Sequence, residues 1–490
     1  MEEIAIVGGG VGALTTALLL SRHGGKVTIY EKSDKLGGRL AFESNGRYQI
    51  DQGPTIVLLP EMILGIMEEA GIERSRIPLV ECHPLYRIHY ADGTVLHKWR
   101  DTEKQVEEIE RLFPGEGAGY RRYLRDMEGN FKQGKKAFLD RPFLRKKEFY
   151  TFRNLSLLTK LKAYTSVRQL ARQYFRNERL ADAFSLQTLY IGGAPFESPA
   201  LYSLLPYAEH AFGVWYVKGG YASLVSIMEE ELKLRGVAIN LNTSVQELVI
   251  EGKSCRGVKT DKGITYHDAV VYNGDFPGLA PLLPEDKRPA SKTYKPSSGC
   301  LLVYLGLKQR WPEAAAHQFF LPESLQKGLQ QIFLEDRIPS DPSFYLFNPV
   351  AIDESAAPEG ESVMYVLIPV PPVGQVNWQE EQQDVVNHVL AEAERRGFPG
   401  LRDAISWMRI RTPQDAQADG LYLGGSFGIA PTLGQSAVYR PQIVPYAINR
   451  LYAVGASVHP GAGIPIVMQG AKLLADHLLK EESLWTSQPV

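Results

Sequence analysis

Close to the start of the chain an apolar, β-branched block, Glu3 to Val7, gives way to glycines between Gly8 and Gly12, and apolar residues resume at helical spacing from Ala13 to Arg22. A second apolar block, Lys26 to Glu31, follows the break at Gly24-Gly25. Period-2 and period-3.6 patterns separated by residues that tolerate unusual backbone angles predict a βαβ unit. Farther along, YRIHYADGTVLH (86–97) sets Asp92-Gly93 between two alternating runs and predicts a hairpin. Helical patterning dominates 105–182. Strand signals return near 213–218, 239–250, 255–260 and 264–272, and again at 300–306, 344–350 and 363–370. Ile464 to Lys480 reads as a helix with Pro465 in its first turn, where a missing N–H costs little. No repeat or low-complexity linker divides the chain, so its domains are expected to interleave.

Composition narrows the chemistry. With 490 residues, 44% of them hydrophobic, the chain can bury a large core and is expected to form two or more domains. Its three cysteines, Cys82, Cys255 and Cys300, are far apart and odd in number, which leaves neither a disulfide framework nor a CxxC pair. The ten histidines form no HExxH motif, so no metal is expected. Any redox chemistry then needs an organic cofactor. The stretch IAIVGGGVGALTTALLL follows Glu2 and Glu3 and is broken by glycines, unlike a signal peptide, and no apolar run is long enough to predict a transmembrane helix. The formal net charge is only −2, yet between Lys132 and Arg179 fourteen Lys or Arg face three acids, a local excess of eleven.

Gly8, Gly10 and Ala13 fill GxGxxG/A between a strand and a helix. The first glycine permits the tight turn, the second lets backbone approach a pyrophosphate, and the small third residue lets helix and strand pack closely. The helix N-terminus then offers N–H groups and partial positive charge to phosphate oxygens. Glu31, closing the second strand, can accept from a ribose. Beyond it, in KSDKLGGRL, Gly37-Gly38 allow another close backbone approach and Arg39 offers a fork of donors. A glycine turn in an unrelated βαβ unit is the competing explanation.

Together these motifs resemble the FAD-binding half of the amine oxidase and phytoene desaturase superfamily. DQGPTIVLLP (51–60), QTLYIGGAP (187–195), LYSLLPYAEHAFGVWYVKGG (201–220), FGIAPTLGQSAVYRPQ (427–442) and GASVHPGAGIPIV (455–467) are similar to bacterial carotenoid desaturases, and most of all to the branch acting on C30 diapocarotenoids. The resemblance implies an α/β fold, a Rossmann-like FAD-binding domain of the glutathione reductase/amine oxidase type interleaved with an α+β substrate domain and a helical membrane-docking region. The expected segments are 1–80, 213–290 and 440–490 for FAD, 81–104 and 291–439 for substrate, and 105–212 for the basic helical region. It implies FAD contacts at Gly8, Gly10, Gly12, Ala13, Glu31, Lys32, Gly38, Arg39, Gly53, Pro54 and Thr55. Val245, expected in a strand, would meet the adenine side, and Asn273 to Asp275 would rim the cleft. A last strand, Leu451 to Val454, would lead into a loop passing the isoalloxazine ring, where Gly455, Gly461, Gly463 and Ile464 bring backbone N–H groups to flavin oxygens.

The implied activity is FAD-dependent desaturation of an acyclic carotenoid such as 4,4'-diapophytoene, with oxidation of a terminal methyl or non-catalytic prenyl binding by a GDI-like escort as alternatives. A hydrocarbon offers no polar handle, so its recognition is expected from an apolar tunnel, at about 0.8 kcal/mol per buried CH₂. FGVWYV (212–217), FYLFNPV (344–350) and YVLIPVP (365–371) could line one, or could be ordinary core. No catalytic triad is expected. His459, Glu209 and His210 are candidate polar groups near the reaction, each with packing or capping as the competing role. Nine Phe or Tyr interleave with the basic residues of 131–179, which suggests docking on anionic lipid at the inner face of the cell membrane, in the cytoplasm. A solvated helical face competes with that explanation. Nucleic acid is not an expected partner, because no RNP or OB pattern accompanies the charge.

Overall fold

The computed structural model describes residues 3–290 and 292–485, the side chains through 480. A five-stranded parallel sheet draws on three distant parts of the chain, in the order Leu451–Ala453, Ala269–Tyr272, Glu3–Val7, Lys26–Tyr30, Ala238–Asn240. Parallel strands need crossovers that cover both sheet faces, which explains why these blocks are apolar without alternation. The helix Val11–Arg22 is buried at every position from Val11 to Leu20. It lies between the helices Ser223–Leu234 and Ile464–Trp485, so apolar residues all round it are what its position requires.

A second, seven-stranded sheet runs Ile405–Arg411, Gly299–Leu307, Ser362–Val370, Phe344–Phe347, His317–Phe320, Tyr86–His89, Val95–Lys98. The hairpin at Asp92-Gly93 forms as its pattern predicts, with Tyr86 opposite Lys98. Strand alternation splits this sheet chemically. On one face Leu301, Val303, Met364, Val366 and Leu346 pack under the helix Trp378–Arg396. On the other, Tyr304, Tyr365, Tyr345, Phe347, Phe319 and Tyr86 face the layer built by the helical region 102–212. Tyr304 reaches back to the first unit, donating to the Gln52 carbonyl at 2.7 Å, and the Thr55 and Tyr345 hydroxyls meet at 2.8 Å. The aromatic face is thereby fastened to the segment that follows the LGGR loop.

Several elements depart from the sequence expectation. His317–Phe320 is buried on both faces and so carries no alternation, and Ile405–Arg411 (ISWMRIR) is a partly exposed edge strand whose apolar residues do not alternate regularly. The helix Trp378–Arg396 keeps only a narrow buried stripe. Val245, expected within a strand, lies between Ala238–Asn240 and Glu247–Glu251. The chain leaves the sheet there because Asn242 and Thr243 donate their N–H groups to the Ser33 and Glu31 carbonyls. Among the described residues no helix is long and apolar enough to cross a membrane, and no cluster of three potential metal ligands occurs. Cys82, Cys255 and Cys300 are buried free thiols.

Candidate functional site

Four loops leave the same edge of the parallel sheet, the carboxyl ends of its strands, where open α/β sheets bind ligands. The ladder itself aligns them. Gly8 N–H donates to the Tyr30 carbonyl, Glu31 to Asn240, Asn273 to Val7 and Val454 to Tyr272, at 2.8 to 3.0 Å. The loop at Gly37-Gly38 then closes over the first turn. Gly37 N–H donates to the Gly9 carbonyl at 2.8 Å and Gly37 pairs with Gly10. Gly38, with φ +58°, is so near that a Cβ on it would stand 3.5 Å from the Gly10 Cα.

Glycine is required at Gly8 by torsion as well as by space, and at Gly10 and Gly12 by space. Gly8 has φ +99°, and a Cβ on it would lie 3.0 Å from the Asn273 carbonyl oxygen. On Gly10 it would stand 2.9 Å from Asn273 Oδ1, and on Gly12 2.7 Å from Asn273 Nδ2. Ala13, fully buried, keeps the first turn close to its strand. Glu31 is buried, with Oε2 accepting from Gly9 N–H at 2.6 Å and Oε1 from Ser33 N–H at 2.8 Å. The carboxylate therefore sits at the mouth of the glycine turn. Lys32 points outward to the Asp419 carbonyl.

Arg39 donates to the Ser426 carbonyl at 2.8 Å; burial lowers its pKa and the charge of Asp275 raises it. A Cβ on Gly53 would lie 2.5 Å from the Arg39 carbonyl, which explains the glycine before Pro54 and Thr55. Across the cleft, Asn273 Nδ2 donates to the Val454 carbonyl at 2.9 Å. The Asp275 carboxylate accepts from Tyr422 N–H at 2.8 Å and from the Ser457 hydroxyl. Asn273 thus joins the N-terminal turn to the C-terminal loop, although they are more than 400 residues apart in the chain. In that loop Gly455, Gly461 and Gly463 all have positive φ, and around Gly461 and Gly463 a Cβ would find nothing nearer than 3.9 Å. Ile464 opens the final helix.

The three polar candidates fall in two places. His459 belongs to the C-terminal loop; its Nε2 meets the Arg141 carbonyl at 3.1 Å, its ring stands edge-on to Phe143, and burial pushes it down to about 4. Glu209 and His210 lie instead in the helical layer against the aromatic sheet face. Glu209 is fully buried and accepts from Tyr86 at 2.6 Å, Tyr190 at 2.8 Å and Gln187 at 3.2 Å; burial pushes its pKa up. Lys98 interacts with it electrostatically and is pushed down to about 8 by burial, its Nζ lying over the Phe184 ring at 3.6 Å. Both ring nitrogens of His210 are engaged, by Thr102 at 3.1 Å and Tyr120 at 2.9 Å. Arg440, which the sequence does not single out, is buried beside the C-terminal loop and donates to the Ala456 carbonyl at 2.5 Å.

These residues fit FAD. The first-turn helix has no side-chain cap, so its leading N–H groups are free for phosphate oxygens, and the turn before it excludes any Cβ. Asn273 Oδ1, buried toward Gly10, has no hydrogen-bond partner in the protein. Gly8, Gly10, Gly12, Ala13, Glu31, Gly38 and Arg39 would hold the adenosine and pyrophosphate, and the 455–464 loop would hold the ring.

Comparisons with known proteins agree. The chain is 48% identical, over 98% of its length and 97% of the relative's, to a 4,4'-diapolycopen-4-al dehydrogenase of Metabacillus indicus. It is 33% identical to a 4,4'-diapophytoene desaturase (4,4'-diaponeurosporene-forming) of Staphylococcus haemolyticus, with 98% and 99% covered. Among solved structures, an oxidoreductase from Methanosarcina mazei superposes with a TM-score of 0.66 at 15% identity, covering 97% and 100% of the two chains. Cyclohexylamine oxidase from Brevibacterium oxydans does so at 0.64 and 14%, covering 98% and 99%. Residues 14–479 match the flavin containing amine oxidoreductase family. The chain belongs to the flavin containing amine oxidoreductases and is an FAD-dependent oxidoreductase, and the two glycine-lined loops that meet at Asn273 would be where it holds that cofactor.

Proposed function

We propose that the protein oxidises acyclic C30 carotenoids, removing hydrogen from a diapophytoene-type backbone to extend its conjugation. The observation that carries this is the aromatic sheet face. It is fastened through Thr55 and Gln52 to the flavin-binding unit and carries Tyr304, Tyr365, Tyr345 and Phe347, all buried beneath the helical layer. Partly buried Ile56, Leu58, Leu189 and Phe427 pack against the same cluster. An apolar, aromatic interior of this kind suits a polyene, whose binding rests on buried apolar area and on aligning one C–C bond at the ring. Bound FAD supplies the hydride acceptor. The chain's residues exclude water and fix the substrate's register, while the proton from the neighbouring carbon leaves to a base.

A second reading, oxidation at the chain end, is favoured by the relative from Metabacillus indicus, which is named for acting on an aldehyde. Product analysis separates the two. Purified protein with FAD, given 4,4'-diapophytoene in liposomes, is expected to shift carotenoid absorption to longer wavelength as double bonds are added. No change with the hydrocarbon, together with conversion of a terminal aldehyde to the acid, would establish the second reading instead.

For the membrane, the support is a basic surface that carries its apolar side chains outward. Phe152 is 90% and Tyr164 71% exposed, with Leu144, Tyr150 and Leu155 nearby in the same segment. Among the described residues Arg145, Lys146, Lys147, Arg153 and Lys160 have no salt-bridge partner. Rings can sit at the headgroup boundary, while cations on anionic lipid are worth about 1 kcal/mol per basic side chain. Docking there would set the protein on the inner face of the cell membrane and let a lipid-soluble substrate enter without crossing water. Phe152→Ser with Leu155→Ser is expected to lose most flotation with vesicles containing anionic lipid while keeping its flavin. Undiminished flotation would remove this surface from consideration.

A further inference from the structure

We infer that Arg440 is the cation that holds the negative charge acquired by the isoalloxazine ring on reduction. The inference rests on the FAD reading of the site, with the ring beside the 455–464 loop.

Arg440 is only 3% exposed. Nη1 donates to the Gln435 carbonyl at 3.1 Å, and Nη2 to the Ile429 and Ala456 carbonyls at 3.3 and 2.5 Å. Three carbonyls from separate segments fix the plane of the guanidinium. They solvate its donors, and among the described residues no carboxylate lies within salt-bridge distance to neutralise its charge. Taking an ion out of water costs several kcal/mol even after relaxation, so a group serving merely as a clip gains nothing from being charged.

The Nε–H donor indicates what the charge faces. Nε is buried with no partner. It is the nearest atom to the place where a Cβ on Gly461 would stand, at 3.9 Å, with nothing else within 4 Å. The bare backbone of Gly461 thus opens a space onto which the idle N–H borders. The wider balance of charge runs the same way. Asp275, whose field reaches Arg440, is shared with Arg39, and its oxygens are engaged by Ser457 and Tyr422. Two guanidiniums around one carboxylate leave the buried site positive. A preorganised cation in a water-excluded site stabilises charge that develops during reaction, at no cost of reorganisation.

The test compares the reduction potential of the holoenzyme with those of Arg440→Gln and Arg440→Lys by dye equilibration. Gln keeps hydrogen bonding without charge, whereas Lys keeps the charge without the fork. Arg440→Gln is expected to bind reduced over oxidised flavin about tenfold less favourably than the parent, a fall of about 30 mV for a two-electron couple. Arg440→Lys should stay within about twofold of the parent on the same scale. Equal potentials in all three, whatever happens to thermal stability, would make Arg440 a structural clip and overturn the inference. Should Arg440→Gln fail to fold, sulfite answers on the unmodified holoenzyme, since its addition to the ring creates the same negative charge. Bleaching of the flavin band is expected, and its absence overturns the inference. None of these readouts needs a carotenoid, so failure of the substrate assignment leaves them intact. A protein that takes up no FAD would remove the premise and the inference with it.

Discussion

A Gly8→Val protein is expected to purify colourless, without catalytic activity and with lowered thermal stability. The backbone at Gly8 has φ +99°, a region that a β-branched residue enters at a cost of about 1–3 kcal/mol. Its Cβ would meet the Asn273 carbonyl oxygen at 3.0 Å and carbon at 3.2 Å. Those atoms are backbone in the neighbouring strand's exit and cannot swing aside. The displaced turn would carry Gly9 away from Glu31 and Gly37, and with it the hydrogen bonds that shape the cofactor's cradle. Gly10→Val separates binding from folding. Gly10 has φ −73°, ordinary for any residue, and its Cβ would meet only the Asn273 side-chain amide. That variant is expected to fold as the parent does yet bind FAD at least about a hundredfold more weakly, about 2.8 kcal/mol. The flavin absorbance after desalting and the melting temperature read the two effects apart. A yellow, fully active Gly8→Val protein would mean that the cofactor does not approach this turn.

What could be seen in the sequence follows the range of the interactions involved. Gly8, Gly10, Ala13 and Glu31 lie within one βαβ unit, where strand, turn and helix signals fix their relative places. The C-terminal loop was legible because its glycines and prolines are dense and a helix follows them. Asn273 was expected only at the rim of the cleft, by resemblance, and its central place depends on pairing between strands hundreds of residues apart. Arg440 lies within the block 427–442 that carries the resemblance, but nothing local marks that arginine as buried. Glu209 and His210 stand out as polar residues inside LLPYAEHAF. What they touch, Tyr86, Tyr190, Thr102 and Tyr120, is set by packing of the helical layer on the second sheet. The strand His317–Phe320 hid for a related reason, because burial on both faces erases the alternation by which strands are recognised.

Those buried histidines make acid the condition to which the fold is expected to be most sensitive. Burial pushes His317 down to about 3 and His89, His210 and His459 to about 4. In the unfolded chain each takes up a proton near pH 6.5. A group with a depressed folded pKa contributes stability above its unfolded value, and that contribution drains away as pH falls toward the folded value. All four therefore destabilise the fold between about pH 6.5 and pH 4. Two carboxyls oppose them. Asp51, raised to about 7 by burial, and Glu209, also raised, keep protons in the folded state that the unfolded chain releases, so over the same window they favour the fold. The histidines outnumber the two carboxyls, so the unfolded state binds more protons on balance and stability falls as the pH falls. Urea midpoints followed by tryptophan fluorescence are expected to drop steadily from about pH 6.5 to about pH 4.5. His317, which shares a 2.6 Å hydrogen bond with the Tyr345 hydroxyl and stacks on Phe347, tests the assignment. His317→Gln removes a titrating group while retaining an acceptor, and should flatten the slope by about one proton. A midpoint independent of pH across this range would mean that the histidines already carry their protons inside the folded protein.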